Sequence, residues 1–364
     1  MHTASAGGAL SAVPIENLYY LIAYALDVAP AEMRRGVDRV TATRPADLFA
    51  DLLCTQASAL LRRGLERHYV EVADEIPGLR GKLDVTRTAC RMLESQGRTA
   101  CRFTVLSYDT PMNRLLRHTL ESLARADLDD DRRRRCIRLA ARFHRAAPCT
   151  RAEALGATLR WHRNNRAYRF AIGLCRLICE DALPTDRDGA LTFPAYDLDS
   201  RELGTLFERF VRNFWRREQT WWRVRGNARL RWPAVGSDPD VRLLPSQETD
   251  IDLYDAHGRW IVECKCTRSP LAGRFGARRL HGSYVNQLYA YLENARAAGA
   301  TLHGGLLLHA AIDEPFTADL HLHGHRFVVR TVDLGTHWHE IAEQLSEIAV
   351  GLRAPVDSPV DAIA

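Results

Sequence analysis

The sequence predicts an α+β protein in two parts, a helix-rich N-terminal part that carries a small β element and a C-terminal part built around a β-hairpin. Three observations predict this. Apolar residues recur at helical spacing through much of the N-terminal half, and the period changes to alternation between Tyr69 and Val85. Further on, Glu248–Tyr254 and Arg259–Cys266 read as two strands about a turn at Asp255-Ala256-His257-Gly258.

In chain order, Pro14 opens a helix from Ile15 to Val28, where Leu18, Tyr19, Ile22 and Leu26 repeat at helical spacing. A second runs from Ala46 to Glu66, with Leu48, Phe49, Leu52, Leu53 and Leu60 apolar and Arg62 and Arg63 near its end, where cations suit the helix dipole. Val70 and Val72 then flank Glu71, and Pro77-Gly78 turns the chain into a second alternating piece, Gly81–Val85. Cys101–Leu106 is another strand, and Asp109-Thr110-Pro111 starts a helix over Met112–Ala126. Helix resumes over Arg132–His144 and Arg166–Ala182, and the domain boundary falls between them, giving residues 1–160 and 161–364. Leu203–Glu218 is an amphipathic helix, and Trp221, Trp222, Val224, Leu230 and Trp232 suggest strand with aromatic packing.

With 364 residues, 46% of them apolar and 26% charged, the chain has material for two ordinary domains and is too apolar for disorder. Lys and Arg outnumber Asp and Glu by 50 to 45, a mild excess compatible with nucleic acid but not diagnostic of it. Nine cysteines at irregular spacing with no apolar leader before them imply reduced thiols and a cytoplasmic location. No run of about 18 uncharged apolar residues argues for a membrane span.

The hairpin carries the chemistry. Glu263 and Lys265 are two apart on one strand and share a face, Asp250 lies on its partner, and Cys264 points into the opposite layer. Carboxylates on adjacent strands suit Mg²⁺, a hard cation that takes oxygen ligands and keeps several waters, and the Cys264 carbonyl offers another oxygen. A metal-bound water loses its proton more readily, and cations offset the repulsion between a hydroxide-like nucleophile and a polyanion. Lys265 is placed to orient that water or to stabilise the anionic transition state. This is the composition of a metal-dependent phosphodiesterase, and a surface hairpin with paired charges is its bland counterpart. Gln287 and Tyr291, four apart on the helix from Tyr284 to Leu292, can pack against such a site, and Glu208 offers a further acidic group.

Several ordered segments resemble the McrC family, the nuclease subunits of McrBC restriction systems that act on modified cytosine, within the PD-(D/E)xK superfamily. They include Pro14-Ile15-Glu16-Asn17-Leu18-Tyr19-Tyr20, Ile76-Pro77-Gly78-Leu79-Arg80-Gly81-Lys82, Leu244-Pro245 before Glu248-Thr249-Asp250-Ile251, Glu263-Cys264-Lys265, Gln287-Leu288 with Tyr291-Leu292, and Val332-Asp333-Leu334-Gly335. The resemblance implies an N-terminal helical and β-finger domain followed by a C-terminal PD-(D/E)xK α/β endonuclease domain. It implies Asp250, Glu263 and Lys265 as catalytic positions supported by Gln287 and Tyr291, with Mg²⁺ as cofactor and double-stranded DNA as substrate. Many relatives have Asp-x-Lys where this chain has Glu263-x-Lys265, and Cys266 stands where they usually carry an aromatic residue.

McrC proteins work with a separate McrB-like AAA+ GTPase ring, whose pore receives the N-terminal finger and whose GTP hydrolysis it stimulates. By that resemblance Tyr69–Val85 is the finger, and Arg80, Lys82 and Arg87 are its partner-contacting candidates. The chain itself has no Gly-x-x-x-x-Gly-Lys-Ser/Thr phosphate loop, so GTP is expected on the partner. The rival readings are a RecB-like repair nuclease, which shares the Gln-x-x-x-Tyr pattern, and a regulatory subunit with an idle nuclease site.

Other clusters read as structural. His321-x-His323-x-His325 has metal-like alternation, but Gly324 breaks the face. Cys175 and Cys179 lie in an apolar helix without a second pair. The run Arg132–Arg135 reads as a solvated helix face, while Arg268, Arg274, Arg278, Arg279 and His281 form a basic loop after the site that could meet phosphate.

Overall fold

The computed structural model describes residues 13–27, 42–181, 183–184, 191–192, 201–234, 236–267, 271–274, 277–312 and 315–353. Its contacts divide the chain into residues 1–45 with 194–364, and residues 46–193, so the second unit is inserted into the first. The boundary expected at 160/161 is therefore not where contacts divide, and the first helix, α1 (Ile15–Ala25), belongs with the C-terminal sheet. Asn17 is the physical reason: buried, it donates from Nδ2 to the Leu334 and Thr336 carbonyls, each at 2.7 Å. Tyr20 and Tyr24 add edge-on contacts to Phe210, with centroids 5.4 and 5.7 Å away. A sequence pattern reports that a helix has an apolar face but not which distant segment covers it.

The inserted unit contains α2 (Pro45–Arg63), β1 (His68–Pro77), β2 (Lys82–Leu83), α3 (Val85–Cys90), β3 (Arg98–Ser107), α4 (Pro111–Arg125), α5 (Asp130–Arg142), α6 (Arg151–Gly156), α7 (Arg169–Asp181), β4 (Leu183–Pro184) and β5 (Leu191–Thr192). β1 and β3 pair antiparallel in unbroken register from His68↔Ser107 to Pro77↔Arg98, and β2 lies along the other side of β3. The β element is thus a three-stranded antiparallel sheet with β3 at its centre, and β3 starts three residues before the alternation suggested because Arg98–Ala100 simply continue the ladder. Thr110 caps α4 by accepting from the Asn113 N–H at 3.2 Å.

In the other unit, α8 (Arg201–Glu218) precedes β6 (Arg223–Leu230), the short α9 (Asp238–Val241), β7 (Gln247–Tyr254), β8 (Arg259–Cys266), β9 (Leu271–Arg274) and β10 (Ala277–Leu280). Then follow α10 (Gly282–Ala297), β11 (Leu302–Ala311), β12 (Ala318–Leu322), β13 (His325–Asp333) and α11 (Trp338–Gly351). Six strands form one sheet in the order β12-β13-β11-β8-β7-β6. β8, β11 and β13 run parallel and the outer strands antiparallel, so α10 is the crossover that returns the chain from β8 to β11. The fold is α+β with a mixed sheet.

α10 covers one face of the sheet through Leu288, Tyr291, Leu292 and Ala295 against Ile261, Leu307, Phe327 and Val329. Gly305 permits the close approach, since a Cβ there would lie 3.0 Å from Leu288 and Leu292 side-chain atoms. On the other side, the Nε1 groups of Trp215, Trp222 and Trp260 donate to the carbonyls of Leu345, Ala349 and Leu352 at 2.9, 3.1 and 3.2 Å. The last two acceptors lie at the C-terminal end of α11, where carbonyls lack helical partners, so the indoles bury apolar area and satisfy the helix end together. Among the described residues no helix is long and apolar enough to cross a membrane.

Candidate active site

The ladder between β7 and β8 runs from Tyr254↔Arg259 to Ile251↔Val262. Beyond that pair the Asp250 side chain takes over, its Oδ2 accepting from the Cys264 N–H at 2.8 Å. Glu263 and Lys265 share the face of Ile261, toward α10, by strand alternation. Lys265 Nζ donates to Glu263 Oε1 at 2.6 Å and to Gln287 Oε1 at 3.1 Å, and Gln287 Nε2 donates to the Tyr291 hydroxyl at 2.9 Å. Because an ammonium only donates, Gln287 must turn its oxygen to Lys265 and its amide to Tyr291. The helical i, i+4 pair and the strand i, i+2 pair thus join in one network. Asp250, Glu263, Lys265, Gln287 and Tyr291 all meet at this place.

Glu263 is 1% exposed, and its Oε2 has no hydrogen-bond partner. Burial first, and then the Asp250 charge, push its carboxyl up to about 7 against the pull of Lys265. Burial also raises Asp250, although the Cys264 N–H and Lys265 favour its charged form. Glu208 on α8 is raised by burial and by Asp250, while Arg212 holds it at 2.8 Å. For Lys265, burial opposes the charge, and Glu263 and Asp250 outweigh burial and hold the ammonium above its ordinary value. Three carboxylates with raised affinity for protons and one orphaned buried oxygen fit a hard cation, so the residues present suit Mg²⁺. Among the described residues no group of three or more His, Cys, Asp or Glu side chains has metal-holding geometry. The fit is therefore that of an Asp250 and Glu263 pair with water and backbone oxygen completing the shell, with Glu208 contributing its charge nearby.

The buried histidine beside the site was not singled out by its sequence. His309 on β11 is the register partner of Lys265, fully buried, with its Nδ1 3.5 Å from Thr267 Oγ1 and its Nε2 without a partner. Burial, and then the charges of His281 and Lys265, push its imidazole down to about 4, so it is neutral at physiological pH. The Tyr284 ring lies 5.9 Å from that of His309 and 5.0 Å from Lys265 Nζ. The available signal was one histidine in the otherwise apolar run Leu306–Ala311 of a buried strand.

The remaining candidates disperse. His323 sits at positive φ in the turn before β13, while buried His325 bonds Glu293 at 2.7 Å, so the three histidines present no common metal face. Cys175 and Cys179 are buried thiols raised by burial. Arg132 and Arg135 reach Asp51 at 2.7 and 3.4 Å and tie α5 to α2, which corrects the expectation of a purely solvated run. Arg80 stacks 4.5 Å from the Phe103 ring, Arg87 is held by Glu75 at 2.9 Å, and Lys82 is exposed on β2. Arg278 and Arg279 are exposed on β10, and Arg268 and the Arg274 side chain lie outside the described residues.

A family model described as McrBC 5-methylcytosine restriction system component matches residues 10–309, which include every site residue from Glu208 to His309. The chain belongs to the McrBC family. This McrBC family member is 28% identical over 342 residues to the type IV methyl-directed restriction enzyme EcoKMcrBC of Escherichia coli (strain K12), a match covering 92% of this chain and 97% of that one. It also resembles a chain in a half-complex from a tetradecameric assembly of Thermococcus gammatolerans McrB AAA+ hexamers with bound McrC. That likeness has a TM-score of 0.54 at 18% identity and covers 92% of this chain and 76% of the other. At this identity the likeness is one of fold.

Proposed function

We propose that this McrBC family member is the DNA-cutting subunit of a GTP-dependent anti-phage restriction complex, a PD-(D/E)xK endonuclease that hydrolyses DNA containing modified cytosine and uses Mg²⁺. The observation that carries the reading is the buried, unpartnered Glu263 Oε2 beside Asp250, an oxygen pair whose desolvated charge calls for a cation. Asp250, Glu263 and the Cys264 carbonyl would hold Mg²⁺, which would supply a more acidic water and neutralise charge on the attacked phosphate.

The protein's own residues do the positioning. Lys265 uses two of its three donors on Glu263 and Gln287, which leaves the third for a phosphate oxygen or the attacking water. Gln287, anchored by Tyr291, fixes the ammonium along that line, and the charge of Lys265 stabilises the extra negative charge of the transition state. Glu208 adds negative potential behind the pair, favouring cation binding.

The chain's partner in this reading is a McrB-like AAA+ ring that binds GTP, selects the modified base and translocates DNA. The Thermococcus relative, a McrC bound to McrB hexamers, supports that partner. In this reading the β1–β3 ladder of the inserted unit, with β2 beside it, reaches the ring and stimulates its GTPase, and Arg80, Lys82 and Arg87 in the connection from β1 to β3 are the candidates to contact it. The deciding experiment is cleavage of methylated and unmethylated duplex by the chain with its GTPase partner, GTP and Mg²⁺. Cutting of methylated DNA alone is expected, and absence of cutting with all components present overturns the reading.

A further inference from the structure

β6 is the outer strand of the six-stranded sheet, and its sequence Arg223-Val224-Arg225-Gly226-Asn227-Ala228-Arg229-Leu230, followed by Arg231, exposes every arginine. The register pairs Arg223 with Tyr254 and Arg225 with Asp252 on β7, and those pair in turn with Arg259 and Ile261 on β8. Cross-strand partners share a face, so Arg223, Arg225, Tyr254 and Arg259 lie on the sheet face that carries Glu263 and Lys265. The guanidinium carbons of Arg223, Arg225 and Arg259 stand 5.7, 5.5 and 5.7 Å from the Tyr254 ring centroid. Arg229, Arg231, Tyr254 and Arg259 line an open groove of about 630 Å³ that runs past His257 to Asn294.

Five guanidiniums here meet three carboxylates, each already partnered. Asp252 is buried against Arg259 at 3.2 Å, Asp255 accepts from its own turn and lies 2.8 Å from His303, and Glu248 holds Arg229 at 2.9 Å in an exposed pair. An exposed pair is worth little, so Arg229 exchanges readily to another anion. The surplus is positive and comes as two pairs, Arg223 with Arg225 and Arg229 with Arg231, each pair two residues apart or about 6.6 Å along extended chain, with Asn227 between the pairs. Arginines on an edge strand also discourage strand-to-strand association. That role requires neither the Tyr254 stacking nor the groove.

We propose that this groove is a non-catalytic seat for the phosphate backbone of duplex DNA. It rests on the reading of the chain as a DNA-cutting subunit, and it places a second contact on the catalytic face of the same sheet. Tyr254 lies four strand residues from Asp250, about 13 Å, or roughly four base pairs of duplex rise. The seat therefore fixes the direction in which DNA leaves the scissile bond.

The test is binding of the full chain to a fluorescent duplex in Mg²⁺-free buffer between about 50 and 200 mM salt, where cutting does not intervene. Arg225→Gln, Arg229→Gln and Arg231→Gln together should lower the slope of log K against log salt by about 2.7. Across that fourfold salt range the parent should then weaken roughly 40-fold more than the triple variant. Lysine at the same three positions should restore the slope, because each retains its charge. A correctly folded glutamine variant with the parental slope overturns the proposal. So does a lysine variant as weak as the glutamine one, an unaltered slope with lost binding to the GTPase ring, or a parent chain that does not bind duplex. A chain that loses slope in the glutamine variant yet never cuts DNA leaves the groove standing and removes the nuclease reading.

Discussion

Lys265 Nζ lies 2.6 Å from Glu263 Oε1, so the internal counter-charge of the site is the residue also placed to meet the substrate. Removing the lysine leaves Glu263 buried beside Asp250 with nothing of opposite sign at that distance, whereas removing Glu263 frees the ammonium but deletes one of the two carboxylates proposed to hold the cation. Lys265→Ala and Glu263→Gln should each lower cleavage by at least about 10²-fold, in the range found for loss of a transition-state donor. Both should still assemble with the GTPase ring and stimulate it. Single-turnover cleavage and GTPase assays on the same preparations check this, and a Lys265→Ala protein that cuts at the parental rate would remove the site assignment.

Gln287 touches Lys265 and Tyr291 but no carboxylate, so its expected role is to aim the ammonium. Gln287→Ala should reduce the cleavage rate by roughly 10-fold, near the lower end of positioning effects, and leave the Mg²⁺ concentration for half-maximal activity unchanged. Tyr291→Phe removes only the acceptor for Gln287 and should cost less. A Gln287→Ala protein that needs much more Mg²⁺ would instead place the glutamine among the metal-holding groups.

Strand alternation made the shared face of Glu263 and Lys265 legible in the sequence, and helical spacing did the same for Gln287 and Tyr291, because both depend only on local geometry. The hairpin turn at Asp255–Gly258 was equally local. What stayed hidden depends on long-range pairing: Asn17 reaching the Leu334 carbonyl, and His309 lying beside Lys265 through a parallel ladder across a helical crossover. The arginines of β6 were hidden for the same reason. Their spacing was visible, but only the register with Tyr254 and Asp252 shows which face they occupy.

Glu263 also predicts how metal affects stability. Its carboxyl sits near 7 when folded against an ordinary value of 4.5, so the folded state retains a proton that the unfolded state releases. This contribution is fully present below about 4.5 and is lost as pH rises through 7. Above pH 7 two buried carboxylates share the single ammonium of Lys265, and Mg²⁺ should restore stability, by about 2.7 kcal/mol at a concentration one hundred times its Kd. Below pH 7 the proton competes and the Mg²⁺ effect should shrink. Thermal melts with and without Mg²⁺ at pH 6 and 8 test this, and Glu263→Gln should flatten the difference. An equal Mg²⁺ effect at both pH values in the parent would dissociate the metal from Glu263.

His309 gives the opposite pH window. Its folded value of about 4 lies below the ordinary 6.5, so the unfolded chain binds a proton that the buried imidazole refuses. The stability tied to neutral His309 is therefore complete above pH 6.5 and is lost as pH falls toward 4. The size of that loss is bounded by the shift, roughly 3 kcal/mol. Glu263 titrates in an overlapping range with the opposite sign, so the parent's own pH curve mixes the two. The clean measurement is the stability difference between the parent and His309→Gln in urea at pH 7, 5.5 and 4, since Glu263 is common to both proteins. The parent's margin should narrow as pH falls. A constant margin would mean that His309 is solvated or paired in solution, and its place beside Lys265 would need another explanation.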